Sequence, residues 1–428
     1  MAKKRSLDKN KKDIIGKGLN ENLNLFLKHI NAIRDTFLME ISLILPHSKE
    51  VIKEFCNFYD NKIKEIDGSL VVEVNDYKKF KQLEENASTA YLALEIISNS
   101  LFVSLISRYD AFFSNCLKEV FKIKPDILNS IDKTICFSDI VNKESLEDIK
   151  NDVIEEEIQC LLRGDHKSQL AYLEKKLKIT IKDLPLIEKN FVEITERRNL
   201  IVHCEGIVSK QYMKVCSPID IKRGDKLTIK PDYLISSHQC LYELSVKLTH
   251  TLWRKLLNSE LEQADNELNS LCFNLIEDES FALADNLLAF ALENKNIFNE
   301  ASRSVYIINA ALSKYLQNDK QKAQDILNQK DWSASSDSYK LAHAILNDNY
   351  KKACEIMFKI GDKGEIEEFD YRSWPLFISI RKEKVFKETY KKIFNKDYSI
   401  IERPMGVTKA LLQKKKKRLS PELETKLI

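Results

Sequence analysis

A chain of 428 residues is too long for one ordinary core, so two or three domains are expected. Hydrophobic residues at 43% and charged residues at 31% place it among soluble globular proteins. With only 9 Gly and 8 Pro it is short of turn residues and reads as all-α, and a formal charge of +3 argues against a surface that coats nucleic acid wholesale.

The first residues, MAKKRSLDKNKK, are charged and lack the apolar core of a secretory signal. Leu23, Phe26, Leu27, Ile30, Ile33, Phe37 and Ile41 recur at helical spacing from about residue 14 to 45, and Pro46 is expected to close that helix. A second helix is predicted over about 49–66. The run DGSLVVEV then reads as a turn with a short β-like stretch that marks a boundary.

A long helix is predicted over about 76–122, stopped by IKPDIL; its second half, SLFVSLISRYDAFFSNCLKEVFKI, is apolar enough for a central core helix. SLEDIKNDVIEEEIQCLLRG is amphipathic and ends at Gly164, and a shorter helix follows in HKSQLAYLEKKLKI. The helix from about Asp183, with Pro185 suited to its first turn, carries ITERRNLIVHCEGIV. CSPIDIKRGDKLTIKPDYL reads as a loop with a short hairpin, and a last helix of this block spans about 232–257.

Beyond Asn258 the helices become short and paired. LQNDKQKAQDIL (316–327) and LNDNYKKACEIM (346–357) match at an offset of 30, with Leu316, Lys322, Ala323 and Ile326 answering Leu346, Lys352, Ala353 and Ile356. Stacked helical hairpins of tetratricopeptide-like type are the natural reading. The end of the chain, with KKKKR at Lys414–Arg418, is a basic tail.

Nine scattered cysteines without a CxxC fit reduced thiols in the cytoplasm better than a disulfide framework or a zinc site. No apolar run is seen to reach the ~18 residues that span a bilayer, so no membrane partner is expected. Phosphate-loop, H-E-x-x-H, G-x-S-x-G and dinucleotide glycine patterns are missing, and no cofactor or metal is expected.

One span carries chemistry. At about 100° per residue, Leu184, Ile187, Phe191, Ile194, Ile201 and Val202 fall within roughly 60° of Arg198, which therefore points into an apolar arc. Asn199 and His203 are four apart on another flank, and Arg198 and His203 diverge by roughly 140°. Such a pair makes more sense if it is completed from outside its own helix. Cys204 turns about 100° from His203, a poor nucleophile–base arrangement. His250 in LTHTLW reads as core packing.

RNLIVH resembles the Arg–polar–x–x–x–His motif of HEPN domains (higher eukaryote and prokaryote nucleotide-binding), many of which are ribonucleases. The likeness extends over about residues 88–257, through SLISRYDAFF, EKNFVEITERRNLIVHCEGIVSKQY and YLISSHQCLYELSVKLTHTLWRKLL. It implies an all-α HEPN-type bundle with a site shared across a homodimer and RNA as substrate. Cleavage would be metal-independent, with the RNA's 2′-OH as nucleophile. On the matching positions, Arg198 would bind the scissile phosphate, His203 would handle protons, and Asn199 would orient its neighbours. Asp110 is a candidate to hold Arg198 or His203, with a structural salt bridge as the plainer role. Glu196, two turns from His203, is a candidate to orient it, and Arg197 either contacts RNA or is a solvated charge.

The expected organisation is an N-terminal helical segment (1–87), a HEPN bundle (88–258), a helical-repeat domain (259–400) that docks a protein partner or trigger, and the basic tail (401–428). Proteins resembling this arrangement are often bacterial toxins or phage-defence effectors. The rivals are a non-catalytic HEPN dimer scaffold and an accessory subunit that neutralises a toxin.

Overall fold

The computed structural model describes residues 16–130, 134–136, 140, 143, 145–177, 184–217 and 220–399; the expected N-terminal charged run and the basic tail lie outside them. The fold is all-α, with one two-stranded hairpin. The chain divides between Tyr306 and Ile307 into two compact units.

The first unit begins with α1 (Lys17–Met39), which passes through a single π-helical turn (Glu40–Ile44) into α2 (Leu45–Lys62). Pro46 was expected to end the first helix. It sits instead in the first turn of α2, where a missing N–H costs nothing because the π turn has already broken the register. The strands β1 (Lys64–Ile66) and β2 (Ser69–Val71) pair antiparallel across Asp67 and Gly68. Those two residues take φ of 48° and 75°, the left-handed pair that a two-residue hairpin turn demands.

The 50-residue α3 (Val74–Ile123) then runs back along both preceding helices. Its register is legible in pairs: Lys62 with Asp76, Phe55 with Phe80, Glu40 with Ser98, and Phe26 stacked on Phe112 at 4.7 Å. α1 is thus packed against the second half of α3. The second half of α3 is core, as its composition predicts, with Phe102, Leu105, Ile106, Tyr109, Phe112 and Phe113 buried. The expectation that no run reaches bilayer length is not met: α3 contains an 18-residue stretch long and apolar enough to cross a membrane, of which 17% is buried.

Next come α4 (Leu146–Arg163), capped by the Ser145 hydroxyl on the Asp148 amide at 3.2 Å, and α5 (His166–Leu177). They are followed by α6 (Leu184–Cys204), α7 (Lys210–Cys216) and α8 (Pro231–Leu256). Nearly every face of α8 is covered: Leu241, Leu244, Val246, Leu248, Leu252 and Trp253 are all buried. A helical pair, α9 (Leu261–Glu277) and α10 (Phe281–Glu293), packs on α8, which is why the first unit extends past the expected boundary at residue 258. Arg254 of α8 and Asp265 of α9, both about 3% exposed or less, form a 2.5 Å ion pair; Asp265 also accepts the Tyr306 hydroxyl at 3.0 Å and the Phe298 amide at 2.7 Å.

The second unit begins within α11 (Glu300–Leu316) and continues through α12 (Lys320–Leu327), α13 (Asp337–Leu346), α14 (Tyr350–Ile360), α15 (Glu368–Ser373) and α16 (Lys384–Phe394). The two matched segments of the sequence are the α11–α12 and α13–α14 turns. Each has one left-handed residue, Asn318 at φ 64° and Asp348 at φ 56°. A capping side chain follows, Asp319 on the Lys322 amide and Asn349 on the Lys352 amide, both at 3.2 Å. The α9–α10 turn repeats the same backbone: Glu279 is left-handed at φ 57°, and the Ser280 amide bonds the Leu275 carbonyl as Asp319 bonds Lys314 and Asn349 bonds Ala344. Ala284, Ala323 and Ala353 then occupy equivalent, fully buried positions. In the α9–α10 and α13–α14 pairs the second helix packs on the first, and a small residue there lets the two approach.

His250 is buried in α8 against Trp253, and neither ring nitrogen has a hydrogen-bond partner. Burial pushes its pKa from 6.5 to about 3. Protons therefore favour the unfolded chain: stability is intact above about pH 6.5 and falls as pH drops toward 3, on the order of 1.4 kcal/mol per pH unit for this group. Denaturant titrations between pH 7 and 4 should show that slope reduced in His250→Leu. Asp265→Ala, which strands the buried Arg254, should cost about 3–5 kcal/mol in the same assay.

Candidate active site on helix α6

The N-terminal half of α6 is fixed by Phe191, Ile194 and Thr195, all buried. Phe191 meets Tyr109 of α3 edge-on at 4.8 Å between ring centroids. The C-terminal half is held from a different side. Leu200, about 200° around the helix from Arg198, is buried with Val208 and with Tyr212 of α7, and Cys204, Met213 and Leu227 pack around them. The loop after α6 is closed by the Ile207–Lys226 bridge and by the Leu227 amide on the Gly206 carbonyl at 2.9 Å. A Cβ on Gly206, which has φ 80°, would come within 2.7 Å of that Leu227 carbonyl, so glycine is required.

A single carboxylate ties this helix to its neighbours. Glu193 Oε1 accepts the Tyr212 hydroxyl at 2.7 Å and Arg197 Nε at 2.8 Å, while Oε2 accepts the Tyr233 hydroxyl of α8 at 2.7 Å. The Arg197 guanidinium lies 3.8 Å from the centre of the Tyr233 ring. Burial drives its pKa down, but the surrounding phenols and Glu193 outweigh that and the net shift is upward. Burial, reinforced by Glu193, pushes the Cys216 thiol up to about 12, so it is no nucleophile at neutral pH. Arg197 is thus neither a solvated charge nor a free phosphate contact; it is 13% exposed and engaged on both sides.

Arg198, one step around the helix, has a different setting. It is half-buried, its Nη1 donates to Asn199 Oδ1 at 3.1 Å, and its Nε is buried without a partner. His203 is exposed and Val202 is 45% exposed. Of the apolar arc predicted around Arg198, Phe191 and Ile194 are buried and Ile201 is half-buried, whereas Val202 is exposed. Arg198 and Asn199, both half-buried, are in contact, and the exposed His203 lies one turn beyond Asn199.

The predicted supporting carboxylates lie elsewhere. Asp110 of α3 bonds His166 Nε2 at 2.9 Å, an ion-pair geometry, and not Arg198 or His203. Glu196 is half-buried, and burial raises its pKa, opposed by His166 and assisted by Asp165. His166, the first residue of α5, also meets Phe191 edge-on at 5.4 Å. The sequence reading missed His166, since no spacing along the chain links residue 166 to residue 110. Among the described residues no group of His, Cys, Asp and Glu could hold a metal ion.

Compared with protein-family models, with curated proteins and with solved structures, the chain matches none.

Glu193→Ala should destabilise the first unit by about 3 kcal/mol or more, because it strands Arg197 and two phenolic hydroxyls. Tyr233→Phe keeps the ring beneath Arg197 and removes one hydrogen bond, so about 1.5–3 kcal/mol is expected. Equal effects of the two in chemical denaturation would rule out Glu193 as the common acceptor.

Proposed function

We propose that the protein is a HEPN-type endoribonuclease whose active side chains are Arg198, Asn199 and His203. The observation that carries the reading is the half-buried Arg198–Asn199 contact with a buried, unpartnered guanidinium nitrogen, one turn before the exposed His203. A buried guanidinium N–H without a partner is open to an acceptor from a ligand, although Arg254 Nε is unpartnered too and its guanidinium serves a structural ion pair. An incoming phosphodiester would supply acceptor oxygens for the Arg198 guanidinium.

The chemistry runs without a protein nucleophile. The ribose 2′-OH attacks phosphorus as its proton leaves to a base, the bond to the 5′-oxygen breaks, and that oxygen takes up a proton. The products are a 2′,3′-cyclic phosphate and a 5′-hydroxyl. His203 suits proton handling, since an imidazole ring can both accept and donate a proton. Arg198 suits the charge that builds on the phosphoryl oxygens, because a planar guanidinium matches them with paired N–H donors.

Exposed apolar residues beside the site support a homodimer. Ile207 adjoins the end of α6, and its bridge partner Lys226 pairs with Glu95 of α3 at 2.7 Å. Leu92 and Ile96, flanking Glu95, are more than half exposed. Two copies meeting there would bring a second Arg198 and His203 to the same groove. The wider role is a toxin or phage-defence effector, with the helical hairpins of the second unit binding the partner that restrains or triggers it.

One observation favours a second reading. Asp110 bonds His166, and no hydrogen bond joins Asp110 or Glu196 to His203 among the described residues. A non-catalytic dimer scaffold would leave His203 in that state.

The test is RNA cleavage by the purified chain in EDTA, beside His203→Ala and Arg198→Gln. Cleavage to 2′,3′-cyclic ends, reduced at least about 100-fold in His203→Ala with the fold intact, is the expected result. Inactivity on tRNA, rRNA and mRNA, together with no growth defect on overexpression that His203→Ala relieves, would leave the scaffold.

A further inference from the structure

A cavity of about 200 Å³ opens in the first unit where α1, the middle of α8 and the α9–α10 turn come together. Its buried surface includes His238, Tyr242, Leu275 and Leu283, and its wall carries Arg34 of α1 and Asp278 of the α9–α10 turn. His238 is 2% exposed and bonds Asn31 through Nε2 at 2.9 Å. Burial pushes its pKa to about 4, so at neutral pH it brings a polar group and no charge.

The two charges of the cavity do not neutralise each other. Arg34 spends its Nε and Nη2 on the adjacent Asp35, at 2.9 and 2.8 Å, and no ion pair links it to Asp278. Both still act on the Tyr242 hydroxyl: burial raises its pKa, Asp278 adds to the rise and Arg34 opposes it. A cation and an anion thus line one small polar space without touching. A phosphate entering it would meet the Asp278 carboxylate, and a simple cation would meet the Arg34 guanidinium. A ligand that carries both signs satisfies both. The volume lies below the roughly 300–1,000 Å³ of pockets for drug-sized ligands, which suits a small metabolite.

We propose that this cavity binds a small zwitterion of the α-amino-acid class, with its carboxylate on Arg34, its ammonium on Asp278 and its side chain against Leu275 and Leu283. Asp35 holds the Nε side of Arg34, so the ligand carboxylate pairs with the Nη1–Nη2 end, and that pairing supplies direction as well as affinity. The amides of Gln239 and Asn274 line the same space and serve the remaining polar atoms. The assignment is independent of any chemistry on α6.

The experiment is thermal unfolding of the full-length protein with each free L-amino acid in turn, followed by calorimetry on those that respond. N-acetyl amino acid amides, which lack both charges, and the four ribonucleosides serve as comparison ligands. At least one free amino acid should raise the Tm by mass action. Arg34→Gln and Asp278→Asn should each weaken its binding roughly 10- to 100-fold, while His203→Ala binds like the parent. Both altered side chains lie at the surface end of the cavity, and unchanged circular dichroism would establish that the variants fold. No response to any free amino acid would overturn the proposal. So would equal binding of the blocked derivatives, a response to nucleosides alone, or unchanged affinity in both variants.

Discussion

The carboxylate of Glu193 is the interaction on which the candidate site depends. It gathers Tyr212 from α7, Tyr233 from α8 and Arg197 from its own helix, and so fixes the rotation and depth of α6. A charged acceptor with three donors is stronger than three neutral hydrogen bonds, and its removal strands every donor at once. The consequence reaches the next residue. With Arg197 laid over Tyr233, the 100° step to Arg198 turns the second guanidinium away from that ring, and it contacts Asn199 instead. Two adjacent arginines therefore have opposite duties, one holding the helix and one left with an unpartnered nitrogen.

Most helices were legible because each has a local cause. Apolar composition marked the second half of α3, and Gly164 ended α4. Pro46 misled because a proline signals either a stop or a first turn, and only the π turn before it decides which. The repeat in the second half was readable at two turns because Leu, Lys, Ala and Ile recur in step. The third turn, at Glu279, keeps the backbone and the buried alanine but not the other side chains. At the site, the spacing of Arg198, Asn199 and His203 was visible, whereas the partner of Asp110 was not. His166 reaches Asp110 across 56 residues, and long-range pairing of two polar groups leaves no periodic trace.

The length of α3 has its own price in exposed surface. Its second half is sheathed by α1, α6 and α8, but around Leu92 and Ile96 it is only partly covered by its neighbours. Where α1 hands over to α2, Glu40 is 5% exposed, and burial raises its pKa against a single hydrogen bond from Ser98. A buried carboxylate with one donor is a weak joint. It sits at the π turn, where the helical hydrogen bonds are already interrupted. The hairpin of α1, α2 and α3 is thus least well held beside the stretch of α3 that carries exposed apolar side chains.

The cavity and the α6 site share one element. Tyr233, which binds Glu193, and Tyr242, which lines the cavity, lie nine residues apart on α8, about 13 Å along a single helix. Side chains close-packed on nearly every face make α8 stiff, so it transmits a shift as a whole body or not at all. A ligand gripped by α1, α8 and the α9–α10 turn would reach α6 only by favouring one position of α8 over another. Differential affinity for those positions, not tightness of binding, would set the size of the effect. A zwitterion bound equally well in both positions would steady the unit and leave Arg198 and His203 where they are.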